Sequence, residues 1–289
     1  MEYSIVSLLN TGDSLGESPV WIAGERRLYW VDVRKPCIHS FDPTTRDYRC
    51  IVLPRIVGSI VERAQGGLAV VFRNGFAFWD GDEPAFQALD HELGDERFND
   101  AKCDARGRLW TGTLDRELRG GMAALYRIDP SLHCERIDGP FSIGNGLAWS
   151  PDYTRFYFTD TRSRTIFAYD YDLESGRASN RRVFAHIAEE EGGRPDGCAM
   201  DVEGCLWSVM VGGGRIARYA PDGRKIDDIP VPVLHPTSCC FGGPDLKTLF
   251  VTSAQATVST AEAAHHPLDG ATFAIALPVA GMPVAPFGG

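Results

Sequence analysis

Arg97-Phe-Asn-Asp-Ala-Lys-Cys-Asp-Ala-Arg-Gly-Arg-Leu-Trp-Thr-Gly-Thr113 is the stretch on which the fold turns. Polar side chains come first, at Arg97, Asn99 and Asp100. A turn follows over 104–107, then a strand-like run from Leu109 to Thr113. Pro195-Asp-Gly-Cys-Ala-Met-Asp-Val-Glu-Gly-Cys-Leu-Trp207 repeats the plan, and so does Gly144-Asn-Gly-Leu-Ala-Trp-Ser-Pro-Asp-Tyr-Thr-Arg-Phe-Tyr157. In each copy an amide or carboxylate precedes the next apolar run by ten or eleven residues.

The repeat extends along the whole chain. Six short apolar runs, at Leu28–Val31, Leu68–Val71, Leu109–Gly112, Phe156–Thr159, Leu206–Val209 and Leu249–Thr252, start 40, 41, 47, 50 and 43 residues apart. Each is followed by a second, alternating run, and Asp42-Pro43, Asp129-Pro130 and Pro221-Asp-Gly223 close units of this kind. Helical periodicity is confined to Ile187–Glu191 and Thr260–His265. Units of 40 to 50 residues built from several strands predict an all-β, six-bladed β-propeller, and no linker divides residues 1–289 into further domains. A β-sandwich is the competing architecture. Tyr3–Leu9 has no partner in the first unit, so it is expected to pair beside Phe273–Val279 as the outer strand of the last blade.

Composition narrows the function. Across 289 residues the net charge is −10 and no basic cluster occurs, which argues against nucleic acid and anionic membranes as partners. The eight Cys have no CxxC and no paired zinc spacing, and are expected to be free, mostly buried thiols of a reducing cytoplasm. The first residues do not read as a signal peptide, and no apolar run has the length of a membrane helix. A G-x-S-x-G elbow is absent, which argues against a serine hydrolase. Gly212–Gly214 reads as a tight turn, and His265-His266 as a surface loop.

Aligning the first strand of each unit on Trp21, Glu62, Cys103, Trp149, Met200 and Phe241 places Glu17, Gly58, Asn99, Asn145, Asp196 and Thr237 four residues earlier. First strands line the axial channel of a propeller, so equivalent positions converge there. Two carboxylates and two carboxamides, with no Lys among them, make an oxygen-only nest suited to a hard divalent cation such as Ca²⁺, Mg²⁺ or Mn²⁺.

These residues carry a resemblance. Leu15-Gly-Glu-Ser-Pro-Val-Trp21, Arg97–Asp104, Gly107–Thr113, Gly144–Ser150, Phe158-Thr-Asp-Thr161, Pro195-Asp-Gly197 and Cys240-Phe-Gly-Gly-Pro-Asp245 occur in the order found in the SMP-30/gluconolactonase/regucalcin family. The chain resembles these six-bladed, commonly lactone-hydrolysing proteins over nearly its full length. The resemblance implies one divalent metal ion (Ca, Zn, Mn, Mg or Fe) on Glu17, Asn145 and Asp196. It implies Arg97 and Asn99 facing the substrate, with Asp100 close by. The family often has Pro between the Arg and the Asn, where this chain has Phe98. A substrate-facing acid is expected in the loop after Thr113, which offers Asp115 and Glu117 without separating them. Asp196 doubles as the candidate catalytic base. The expected reaction is hydrolysis of a sugar lactone (glucono-, xylono- or arabinono-lactone) by a monomer or weak oligomer. Competing readings are another lactone, ester or phosphotriester hydrolase on the same scaffold, or a non-catalytic calcium-binding propeller.

Overall fold

The computed structural model describes residues 3–115, 117, 119–255 and 265–289. The chain is an all-β six-bladed β-propeller; each blade is a four-stranded antiparallel sheet. Strand β1 (Ser4–Asn10) leads into the first blade, β2 (Gly16–Ile22), β3 (Arg27–Asp32), β4 (Cys37–Phe41) and β5 (Tyr48–Val52). The second blade is β6 (Val57–Glu62), β7 (Leu68–Phe72), β8 (Gly75–Trp79) and β9 (Ala85–Gln87). The third is β10 (Glu96–Cys103), β11 (Leu109–Asp115), β12 (Ala123–Ile128) and β13 (Cys134–Phe141). The fourth is β14 (Gly144–Trp149), β15 (Arg155–Asp160), β16 (Thr165–Asp172) and β17 (Arg177–His186). The fifth is β18 (Arg194–Met200), β19 (Leu206–Val211), β20 (Arg215–Tyr219) and β21 (Lys225–Pro230). The sixth is β22 (Pro236–Gly242), β23 (Thr248–Ser253) and β24 (Ala271–Ala276), with β1 paired antiparallel to β24 as its outermost strand.

All six apolar runs are second strands of blades. They are nearly continuous in hydrophobicity because both faces are covered; β7 and β11 are buried at every position. Outer strands such as β5, β9 and β21 are largely exposed. The only helical turn among the described residues is a 3-10 turn at Glu189–Glu191, inside the stretch read as weakly helical. The other helical stretch, Thr260–His265, lies outside the described residues apart from His265. No helix is long and apolar enough to cross a membrane among the described residues.

The chain forms two compact units of three blades each. One comprises residues up to Ile56 and Ile187–Pro283; the other comprises Val57–His186 and Val284–Gly289. In the first unit Trp207, Val209, Phe241, Leu249 and Phe273 fill the space between the fifth and sixth blades, and Leu28, Trp30, Cys240 and Phe250 that between the sixth and first. In the second unit Val71, Phe76, Phe98 and Tyr126 pack the second blade on the third, and Trp110, Leu147, Trp149 and Phe156 the third on the fourth.

The repeated sequence builds a repeated device. Asp201 Oδ1 accepts the backbone N–H groups of Glu203 (3.0 Å) and Cys205 (2.8 Å), closing the turn into β19. Its Oδ2 accepts Trp207 Nε1 at 2.9 Å and Arg218 Nη2 at 2.6 Å. Asp104 does the same for Arg106, Trp110 and Arg108. Gly107 and Gly204 supply the left-handed residue of each turn, at φ 74° and 80°. Both aspartates are fully buried, so each carboxylate is viable only because every lone pair meets a donor. Replacing Asp201 by Ala would take away the buried partner of Arg218 and leave it only the exposed Glu203, at a cost of about 3–5 kcal/mol. Urea unfolding of Asp201→Ala beside Glu203→Ala checks this. Glu203 is exposed, and its loss is expected to cost under about 1 kcal/mol. Equal costs would remove Asp201 as the node of this turn.

Candidate functional site

In every first strand the ladder to the second strand is interrupted at the aligned position. The register breaks between Glu17 and Val20, Val57 and Ser59, Phe98 and Ala101, Asn145 and Leu147, Pro195 and Cys198, and Pro236 and Ser238. Such bulges leave one or two residues out of the pairing and re-aim their side chains. Left-handed backbone marks two of the six, Ser18 at φ 51° and Gly146 at φ 39°. The aligned residues all lie at these breaks: Gly58, Asn99, Asp196 and Thr237 are left out of the pairing, and Glu17 and Asn145 are the last paired residues before it.

Carboxylates at the ends of second strands hold the entrances to these first strands. Asp32 accepts the N–H groups of Ser14 (2.7 Å) and Leu15 (3.1 Å), immediately before Gly16 and Glu17. Asp160 accepts those of Ser142 (3.2 Å) and Ile143 (3.0 Å), immediately before Gly144 and Asn145. Asp269, in the turn before β24, does so for Leu234 at 2.8 Å, ahead of β22. The strands also approach closely. A Cβ at Gly112 would lie 2.6 Å from the carbonyl carbon of Gly144, and one at Gly197 would lie 2.1 Å from Ser238 Oγ. Only Gly fits between these backbones.

Within the second unit, Asn99, Asp100 and Asn145 come together. Asn99 Nδ2 donates to Asn145 Oδ1 at 2.6 Å and to the Gly144 carbonyl at 3.0 Å. Asn145 Nδ2 donates to Thr161 Oγ1 at 2.9 Å, which fixes the amide with its oxygen towards Asn99. Asp100 is buried, and its carboxylate meets the backbone amides of Ala101 and Gly146. Its Oδ2 has no hydrogen-bond partner among the described residues. Burial raises the Asp100 carboxyl pKa, with Lys102 and those amides pulling the other way. Arg97 is half-buried beside Leu114 of β11.

Within the first unit, Glu17 and Asp196 stand on β2 and β18, on either side of β22, whose Thr237 donates to the Gly16 carbonyl at 2.5 Å. Glu17 is half-buried and Asp196 buried. The donors at the aligned positions are all oxygen-bearing. Asn145 Oδ1 accepts one hydrogen bond and keeps a second lone pair. Asp100 Oδ2 is a buried anion-forming oxygen without a donor. Both features fit a cation better than an anion or an apolar group.

The loop after β11 separates its two acids. Asp115 is fully covered and turned inward, accepting the N–H groups of Glu117 and Arg119, both at 3.0 Å, and Arg119 Nε at 2.9 Å. Glu117 is 71% exposed, with its carboxylate 3.5 Å from Arg119 Nη1. Sequence reasoning had passed over Asp32 and Asp269. Asp160 lay within a quoted motif without a role. For Asp32 and Asp160 the signal was available as an Asp at the end of a second strand, about 15 residues after a first-strand entrance; Asp269, beyond the second strand of its blade, has no such spacing.

The model of the SMP-30/gluconolactonase/LRE-like region matches residues 15–255, from the Asp32-held entrance through the sixth blade's second strand. The chain belongs to this family. A family relative, the 6-deoxy-6-sulfogluconolactonase of Pseudomonas putida, is 38% identical over 95% of each chain. The pentonolactonase XacC of Haloferax volcanii is 35% identical over 87% of this chain and 85% of its own. The solved structure of a calcium-binding protein, regucalcin, from Agrobacterium tumefaciens superposes with a TM-score of 0.92, at 25% identity, over 99% of this chain and 97% of its own.

The Asp115 side chain gives this family member a pH signature. Arg119 and the two loop amides pull its carboxyl from 3.8 to about 2. The folded pKa is depressed, so the stability it contributes is present above about pH 4 and is lost as pH falls towards 2. Acid unfolding of Asp115→Asn is expected to lack that part of the acid limb. Parallel acid limbs in both proteins would remove the Asp115–Arg119 clamp as a contributor.

Proposed function

We propose that this protein hydrolyses a sugar lactone to the aldonic acid with the aid of one divalent cation. The observation that carries the reading is the set of oxygen-bearing side chains, Glu17, Asn99, Asn145, Asp196 and Thr237, at five of the six first-strand bulges, with Asn99 locked onto Asn145 at 2.6 Å. The support from relatives is their printed activities, on a sulfogluconolactone and on pentonolactones. That a similar structure is described as calcium-binding supports the cation. Glu17, Asn145 and Asp196 would be its protein ligands, with Ca, Zn, Mn, Mg and Fe all compatible with two carboxylates and one amide oxygen. When bound, the cation supplies Lewis acidity at the lactone carbonyl and favours ionisation of water.

The remaining work falls to the side chains. Asp196 takes the proton of the attacking water. The Arg97 guanidinium, half-buried and always charged, faces the oxyanion as the carbonyl becomes tetrahedral. The C–O bond to the ring oxygen then breaks, and that oxygen leaves with a proton. Asn99 and an acid of the 115–117 loop hold sugar hydroxyls. Glu117 is the acid assigned here, because Asp115 is spent on its own loop. A polyhydroxylated lactone matches the polarity of Arg97, Asn99 and Asp100; aryl esters or phosphotriesters would favour an apolar surround.

A panel of aldonolactones, aryl esters and phosphotriesters, assayed with chelator and after metal readdition, tests the reading. Turnover of aldonolactones that chelator abolishes and a divalent ion restores is expected. Calcium binding without turnover of any of them would leave a binding protein instead. Asp196→Asn at saturating metal separates base from ligand. A kcat depressed by about 10²–10⁴ at neutral pH, partly recovered at high pH, is expected of a lost base. Near wild-type kcat would leave Asp196 a ligand only.

A further inference from the structure

The first blade gathers a second group of metal-binding side chains, chemically unlike the first. Cys37 and His39 are two apart on β4 and share a face, and Cys50 on β5 is the cross-strand partner of His39. The hairpin register brings together two thiols and an imidazole that no short spacing in the sequence announces. Their ligand atoms lie within 4.8 Å of one another. His39 Nε2 is 3.3 Å from Cys37 Sγ and 3.2 Å from Asp13 Oδ1. Asp13 is itself held in place, its Oδ2 accepting Trp30 Nε1 at 2.8 Å. Trp30 stacks on the imidazole with ring centroids 4.9 Å apart.

We propose that Cys37, His39 and Cys50 form a three-residue site for a thiophilic divalent cation of the zinc class, with water completing the tetrahedron. The spacing fits such an ion. Tetrahedral bonds of about 2.3 Å to sulfur and about 2.0 Å to nitrogen require an N···S edge of roughly 3.5 Å. The observed separation of His39 Nε2 from Cys37 Sγ is 3.3 Å, and the three ligand atoms lie within 4.8 Å of one another. Access is one-sided: Cys37, His39 and Asp13 are buried, whereas Cys50 is exposed on the outer strand. The outer partner of the imidazole is present as well. Tyr48 Oη lies 2.9 Å from His39 Nδ1, so a ring coordinating through Nε2 keeps its proton on Nδ1 and donates it to that hydroxyl. On binding, both thiols ionise and their two protons pass to solvent.

A second convergence, of Asp201, Glu203 and Cys205, makes a useful contrast. There Arg218 Nη2 already lies 2.6 Å from Asp201 and 2.7 Å from Glu203, so a guanidinium supplies the positive charge. No Lys or Arg side chain makes a hydrogen bond or ion pair with Cys37, His39 or Cys50 among the described contacts. The Cys₂His set also selects a different ion from the oxygen-only positions: soft sulfur ligands discriminate against Ca²⁺ and Mg²⁺. The proposal does not rest on the lactonase reading.

The full-length protein, reduced and freed of metal, is titrated with Co²⁺ as an optical substitute for Zn²⁺. The expected result is a thiolate-to-cobalt charge-transfer band that saturates at one equivalent, with tetrahedral-type visible absorption, and that Zn²⁺ abolishes. Cobalt on the oxygen-only residues gives no thiolate band. Cys50→Ser, an exposed replacement, should lose the band while circular dichroism and lactone turnover stay as in the parent. Absence of the band in the parent protein overturns the site, as does its persistence in both Cys50→Ser and Cys37→Ser. Loss of two hydrogens by mass spectrometry under mild oxidation, reversed by reductant in a protein that gives no cobalt band, also overturns it in favour of a Cys37–Cys50 disulfide.

Discussion

A β-strand that pairs along its full length has little freedom in where it points its side chains. Each first strand of this protein gives up pairing at one point, and much of the surrounding architecture follows from that concession. The break takes Asn99 and Asp196 out of the pairing and leaves Glu17 and Asn145 as the last paired residues beside it. It also leaves backbone groups to be satisfied by other means. Asp32 and Asp160 take up the amides at the strand entrances. Gly112, Gly144 and Gly197 keep neighbouring backbones close enough to hold the displaced residues in place. Asn99 and Asn145 then lock each other by a short hydrogen bond.

The blades were legible because their second strands are covered on both faces and so read as apolar runs at regular intervals. The outer position of the first strand of the chain was legible for the opposite reason: Tyr3–Leu9 had no local partner, and β24 supplies one. The aligned polar positions followed from counting within a repeat. Counting could not reveal the bulges, which depend on how two strands share hydrogen bonds rather than on residue type. Nor could it separate Asp115 from Glu117. Both are acids in one loop, and their exposure is decided by which one the loop amides and Arg119 capture. Cys37 and Cys50 escaped for a related reason. The search for paired cysteines runs along the chain, whereas these two meet across a hairpin.

The acidic balance of the chain acquires a structural meaning. Asp13, Asp32, Asp104, Asp115, Asp160, Asp201 and Asp269 are all buried, and each accepts backbone, indole or guanidinium donors. They act as internal anions that tie turns to strands. A net charge of −10 is therefore not a surface property alone, and only part of it is available to attract a cation from solution.

The pairing of β1 with β24 imposes an order of events on synthesis. β1 is synthesised long before its partner, because β24 follows it by more than 260 residues. Until then the sixth blade ends in an open edge whose N–H and C=O groups can template any other extended chain. The unit that contains both strands is also discontinuous, interrupted by the whole of Val57–His186. Its completion is a long-range contact, entropically expensive and slow to form. The edge of the sixth blade thus stays open until β1 docks on β24, and anything that occupies β1 prolongs that interval.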